Sequence, residues 1–209
     1  MSNVYVISDL HFSHKNMAIK RGFQTTEEHD EHIIEQWNKI VNKKDTVWVL
    51  GDITMEKSGP YVLLDRLNGI KKVVLGNHDQ PQHVPEMLKY VRSVCGMVKY
   101  KGFILTHCPM HEAEVGRFTK NIHGHVHENS LDDDRYINVS CEAVDYKPVA
   151  MRELIEDKLH KTISNWNNEK PTGNYENRNP YEIDEIAHFR KPDKRKNNAR
   201  RNLERCCRL

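Results

Sequence analysis

Metal-binding residue types are not spread evenly along this chain. Thirteen histidines occur in 209 residues, and they gather in short groups: His11 with His14, His107 with His111, and His123, His125 and His127. Imidazole beside carboxylate and amide oxygens is the donor set of a divalent-metal site. Asp9 and His11, then Asp52, then Asn77 and His78, then His107 each come just after a short β-branched or aromatic run, and Gly124-His125-Val126-His127 adds a fifth loop. Singly, each is weak. A lone Asp there caps a helix or sits in a loop, and a lone His is a hydrogen-bonded buried ring. Five such loops in order, each at a strand end, point to one pocket.

The elements that must build this pocket can be read from the same runs. Val4–Ile7, Thr46–Leu50 and Lys72–Leu75 have the length and content of buried strands. Between the first two, Thr25-Thr26-Glu27-Glu28 resembles a capping box. It opens a helix whose His32, Ile33, Ile34, Trp37, Ile40 and Val41 share one face. A short helix through Leu63, Leu64 and Leu67 should stop at Asn68-Gly69. Alternating strand and helix implies parallel strands with right-handed crossovers, and residues beyond the carboxyl ends of such strands converge on one crevice. Gly51, Gly76 and Gly124 precede candidate ligands and permit sharp turns and close backbone approach. In the second half, Val98–Tyr100 and Phe103–Thr106 flank Lys101-Gly102 as a hairpin. Asn121–His123 and Tyr136–Val139 are further strands, and Val149–Leu159 is a closing helix. The pattern predicts an α/β fold of two packed mixed sheets with helices outside.

The blocks Ser8-Asp9-Leu10-His11, Leu50-Gly51-Asp52, Gly76-Asn77-His78-Asp79, Thr106-His107 and Gly124-His125-Val126-His127 resemble the five motifs of the calcineurin-like metallophosphoesterases, in order and over residues 3–150. Asp9-Leu10-His11-Phe12-Ser13-His14-Lys15-Asn16 is most similar to the small bacterial and bacteriophage-encoded members. The resemblance implies a four-layer αββα sandwich with a dinuclear metal site at the strand ends. It implies that Asp9, His11 and His127 hold one metal, that Asn77, His107 and His125 hold the other, and that Asp52 bridges them. His78 would sit over the substrate as a catalytic residue, with Asp79 orienting its ring. A hydroxide held between the cations would attack phosphorus. Oxygen and nitrogen donors without thiolate suit Mn²⁺ first, with Fe, Zn²⁺ or Ni²⁺ as alternatives. His14 either touches phosphate or leaving group or is a solvated loop residue. Arg117 either reaches substrate or is simply exposed. His123 is expected in a supporting or packing role.

Composition bounds the rest. Residues 1–162 suit one catalytic domain, and residues 163–209 read as a polar linker and basic tail. Residues 187–209 carry nine lysines and arginines against Asp193 and Glu204, so with a whole-chain charge of +2 the remainder is mildly acidic. Such a tail is either a solvated run or a contact for nucleic-acid phosphates. No apolar run is long enough for a membrane-spanning helix, and the N-terminus lacks a signal-peptide pattern. The cytoplasm is therefore expected, with five cysteines as free thiols and Cys108 as a small packing residue. The expected activity is hydrolysis of a phosphodiester or phosphomonoester of small nucleotide type, with diesters slightly favoured. The alternatives are a nuclease or RNA-end-processing enzyme recruited through the tail, and a non-catalytic scaffold. A scaffold should have lost ligands, and this chain keeps all seven together with His78.

Overall fold

A computed structural model describes residues 2–55 and 61–155. The linker, the basic tail, Trp166, Cys206, Cys207 and the end of the expected closing helix lie outside these residues.

Strand β1 (Val4–Ile7) is an interior strand of the five-stranded first sheet. It pairs in parallel with β2 (Thr46–Val49), which pairs in parallel with β3 (Ile70–Val74), and β3 with β4 (Ser93–Cys95). The fifth strand, β9 (Val149–Ala150), runs antiparallel to β1. The second sheet has the order β5 (Val98–Tyr100), β6 (Phe103–Leu105), β7 (Asn121–His123) and β8 (Tyr136–Asn138). Its first pair is the expected antiparallel hairpin, and the other pairs are parallel. The two mixed sheets with flanking helices make an α/β fold.

Alternation along the strands separates two cores. Tyr5, Ile7, Val47 and Val49 face helix α2 (Thr26–Ile40), which presents Ile33, Ile34 and Trp37. Val6, Trp48, Leu50 and Val74 face the other way and meet Phe103, Leu105, Ile122, Ile137 and Val139 of the second sheet. A period of two along each strand puts neighbouring residues into different layers, so β1 and β2 are apolar on both faces. Helix α2 begins where the capping pattern places it, with the Glu28 amide donating to Thr25 Oγ1 at 3.1 Å. Its Trp37 is fully buried, and the indole N–H donates to the Asn68 carbonyl at 2.9 Å.

The structure corrects several elements. Tyr61–Arg66 is a 3-10 helix. Val149 and Ala150, read as the start of a helix, form β9 before helix α5 (Met151–Ile155) begins. Their β-strand state comes from pairing with β1, a contact 140 or more residues away that no local pattern shows. Helix α1 (Lys15–Lys20) and strand β4 were not anticipated. Helices α3 (Val84–Met87) and α4 (Glu112–Val115) are single turns.

Trp37 ties α2 to both the sheet and the β3 approach, so Trp37→Ala is expected to lower unfolding free energy by roughly 3–5 kcal/mol. Urea denaturation monitored by circular dichroism measures it.

Candidate metal centre

The strand ends deliver the sequence-selected residues to one place. β1, β2 and β3 are parallel, so Asp9, Asp52 and Asn77 leave the same edge of the first sheet; His107 and His125 follow the parallel strands β6 and β7. Backbone hydrogen bonds sew the loops together: the amide of Asp9 donates to the Gly51 carbonyl at 3.1 Å, that of His11 to Asp52 at 2.9 Å, and that of Gly124 to His107 at 2.8 Å.

Each carboxylate is anchored by one oxygen and presents the other. Asp9 Oδ2 accepts from the His125 amide at 2.9 Å, and its buried Oδ1 has no hydrogen-bond partner. Asp52 Oδ1 accepts from the His78 amide at 3.0 Å. Its Oδ2 lies 3.4 Å from His107 Nε2, 3.7 Å from His11 Nε2 and 4.0 Å from His78 Nε2. His107 donates from Nδ1 to the Leu50 carbonyl at 2.8 Å, which turns Nε2 toward Asn77 Oδ1 at 2.8 Å. His125 Nδ1 is 2.9 Å from the same amide oxygen and 3.2 Å from His107 Nε2. Around this point electron-pair donors face one another, which is the arrangement a cation satisfies.

The donor set passes the same test elsewhere. Ligand atoms of Asp9, His11 and His127 lie within 4.8 Å of one another, as do those of Asp9, Asp52 and His107. Both ring nitrogens of His11 are buried without a hydrogen-bond partner. Burial pulls the His11 pKa down to about 3, against the opposing charge of Asp52, so the ring is the neutral, ligating form. Burial also acts on Asp52 and His107, but their mutual attraction overrides it. The hydrogen bond and charge of His107 help hold Asp52 at about 2, and Asp52 helps raise His107 to about 9.

Five of these seven residues are in unusual backbone geometry. Asp9, His11, Asp52, His125 and His127 have φ of 61°, 49°, 52°, 71° and 53°, in the left-handed region that non-glycine residues seldom occupy. Such residues cost of order 1–3 kcal/mol each and persist where their surroundings over-determine them. Gly51, itself at φ 89°, and Gly76 pass back to back: a Cβ on Gly51 would lie 2.5 Å from the Gly76 amide nitrogen, and one on Gly76 would strike the Asp52 carboxylate. The close backbone approach foreseen at these glycines is what brings the β2 and β3 loops into one pocket.

Asp79 is buried, and its carboxylate accepts from the amides of Gly76 and Asp52, each at 2.8 Å, and of Ile53 at 3.2 Å. It clasps the two loops together. The His78 side chain is 29% exposed at the pocket mouth, its ring 5.8 Å from that of His11. Asn77 and His125 are exposed, whereas Asp9, His11, Asp52 and His107 are buried, so the pocket is closed beneath and open above. The His14 ring lies 5.8 Å from that of His11, and its Nδ1 is buried without a hydrogen-bond partner. Arg117 is exposed and pairs with Glu114 at 3.3 Å. His123 is buried under the pocket, packed edge-on against Tyr136. Cys108, expected to pack, is exposed instead, and its sulfur stands within 4.8 Å of ring nitrogens of His107 and His125.

Two residues behind the pocket were missed. Glu142 accepts from His127 Nδ1 at 3.0 Å, and Arg21 donates to Glu142, Asp9 and Leu10. Neither lies in a motif. A single Arg in a loop and a single Glu after Cys141 carry no spacing signal.

A family model for calcineurin-like phosphoesterases matches residues 2–195. An uncharacterized protein of Methanocaldococcus jannaschii is 35% identical over 180 residues, covering 78% of this chain and 98% of that protein. The gene 66 protein of Mycobacterium phage D29 is 31% identical over 198 residues, covering 75% of this chain and 98% of the phage protein. The crystal structure of a protein of unknown function from Aquifex aeolicus superposes with a TM-score of 0.59 at 28% identity, covering 76% of this chain and all of that one. The chain belongs to the calcineurin-like phosphoesterase family.

Two outcomes follow for metal-free protein. His11 and His123, the latter held by burial at about 4, stay neutral when folded but take a proton near 6.5 when unfolded. Their contribution is therefore complete above pH 6.5 and is lost as pH falls from 6.5 toward about 4 for His123 and about 3 for His11. Denaturation midpoints measured at pH 7 and pH 5 should drop accordingly. Gly76→Ala should displace Asp52 and weaken divalent-cation binding about 10-fold or more, read by calorimetry, with the fold retained in circular dichroism.

Proposed function

We propose that this phosphoesterase hydrolyses a phosphate ester of small nucleotide type at a centre of two divalent cations, with Mn²⁺ the preferred metal. The observation that carries the reading is Asp52 Oδ2, which lies within 4.0 Å of ring nitrogens of His11, His78 and His107. Asp9, His11 and His127 would hold one cation, Asn77, His107 and His125 the other, and Asp52 both. Mixed oxygen and nitrogen donors suit Mn²⁺, with Fe, Zn²⁺ and Ni²⁺ as chemical alternatives. When bound, such a pair activates water near neutral pH and neutralises charge on the phosphoryl oxygens.

The protein's own residues do the rest. The buried floor excludes bulk water around Asp9 and Asp52 and strengthens every charge interaction there. His78, at the mouth, places a proton on the leaving oxygen, a role worth roughly 10²–10⁴-fold. Asp79 supports it by fixing the loop that carries it. His14, beside His11 with an unpartnered nitrogen, is placed to touch phosphate or leaving group. Arg117 stays a weaker candidate for substrate contact, given its exposure and its ion pair with Glu114. Resemblance to the small members of the family slightly favours diesters over monoesters.

We assign residues 1–162 to the catalytic domain and 163–209 to a linker and basic tail, on composition. Free thiols at Cys95, Cys108 and Cys141 suit the reducing cytoplasm, and among the described residues no helix is long and apolar enough to cross a membrane. A second reading, cleavage or end-processing of nucleic acid, is favoured by the nine lysines and arginines of residues 187–209. Assays of the Mn²⁺-loaded protein on chromogenic mono- and diesters, nucleotides and RNA test both. His78→Ala should lower the rate roughly 10²–10⁴-fold, and Asp52→Asn should abolish it. Rates unchanged in both variants would overturn the site assignment.

A further inference from the structure

Behind the pocket lies a buried polar chain with no role in the reaction outlined above. Arg21, whose side chain is 1% exposed, donates from Nη2 to the Asp9 carbonyl at 2.7 Å, from Nη1 to the Leu10 carbonyl at 3.1 Å, and from Nε to Glu142 Oε1 at 2.8 Å. Its Nη1 also lies 2.8 Å from His29 Nε2. Because Arg21 can only donate, His29 accepts there and carries its proton on Nδ1, which donates to Asp30 Oδ1 at 2.9 Å. Asp30 in turn accepts from the Ser13 amide at 2.9 Å and 3.0 Å.

This chain touches the backbone where it is strained. Asp9, His11 and Ser13 alternate through the left-handed region, with φ of 61°, 49° and 58°. The carbonyls of Asp9 and Leu10, and the amide of Ser13, are the groups that Arg21 and Asp30 hold. Glu142 completes the connection on the other side: its Oε1 accepts from His127 Nδ1 at 3.0 Å while it also receives Arg21. A carboxylate can only accept from the ring, so Nδ1 of His127 carries a proton and Nε2 is the nitrogen left to face the pocket in the neutral ring. Four acceptors from three separate parts of the chain meet one planar guanidinium, a geometry lysine cannot reproduce.

We propose that Arg21 and Glu142 are positioning residues of the metal pocket: the guanidinium holds the backbone carbonyls of left-handed Asp9 and of Leu10, and Glu142 fixes the tautomer and orientation of the His127 ring. The proposal rests on the metal reading given above, and two measurements on the full-length chain separate the two. In metal-free protein brought to a pH at which the His127 ring is neutral, ¹⁵N spectra of the histidine rings should show the Nδ1–H tautomer of His127 in the wild type and in Glu142→Gln, whose amide oxygen still accepts. Glu142→Ala should lose that tautomer, and an unchanged spectrum would overturn the proposal. In calorimetric titration with Mn²⁺, Glu142→Ala and Arg21→Lys should weaken one of two sites about 10–100-fold, with Glu142→Gln close to wild type. In a His127→Ala background, Glu142→Ala should have no further effect. Equal losses with and without His127 would show that Glu142 acts elsewhere and would overturn its assigned role. Wild-type affinity in folded Arg21→Lys would overturn that of Arg21. If the wild type bound no Mn²⁺, the metal reading would fall, and the tautomer measurement would still decide the hold of Glu142 on His127.

Discussion

Two carboxylates and a cluster of imidazoles are held together in a pocket whose floor excludes water, and the architecture is organised around that arrangement. Groups of this kind are stable in a protein interior only when their lone pairs meet positive charge or donated hydrogens. Asp9 and Asp52 each give one oxygen to a backbone amide and turn the other inward. The pull of the carboxylates on positive charge shows in His107, whose pKa Asp52 helps raise to about 9 despite its burial. The electrostatics of the pocket thus suit a family that works with divalent cations.

Holding the pocket open at the right dimensions falls to the backbone. The left-handed turns at Asp9, His11, Asp52, His125 and His127 aim side chains that ordinary strand endings would point elsewhere. Their conformational cost is offset by two rigid neighbours. Beneath them, β1 and β2 are apolar on both faces and locked between the helix layer and the second sheet. Around them, Asp79 and Arg21 supply buried hydrogen bonds that take the place of regular secondary structure in the loops.

Local rules worked wherever the information was local. The capping pattern at Thr25, the hairpin at Lys101-Gly102 and the alternating runs of β1, β2 and β3 each depend on residues a few positions apart. They failed where a distant partner decided. Val149 and Ala150 are strand because β1 offers an edge. Ser93–Cys95 is strand because β3 does, although its short, mixed sequence carries little β signal. Leu63, Leu64 and Leu67 have helical spacing, yet Tyr61–Arg66 takes the tighter 3-10 turns.

The candidate site divides in the same way. The candidate residues and their places after strands were legible in the chain itself, because parallel strands restrict where side chains emerge and the loops at their ends converge. That Asp52 Oδ2 lies among rings from three different loops, that Gly51 and Gly76 pass within contact of each other, and that Arg21 and Glu142 stand behind Asp9 and His127 were decided only in three dimensions. A supporting hydrogen bond can be made by almost any polar residue at almost any sequence distance. Its identity is therefore fixed by the packing of the fold and leaves no pattern along the chain.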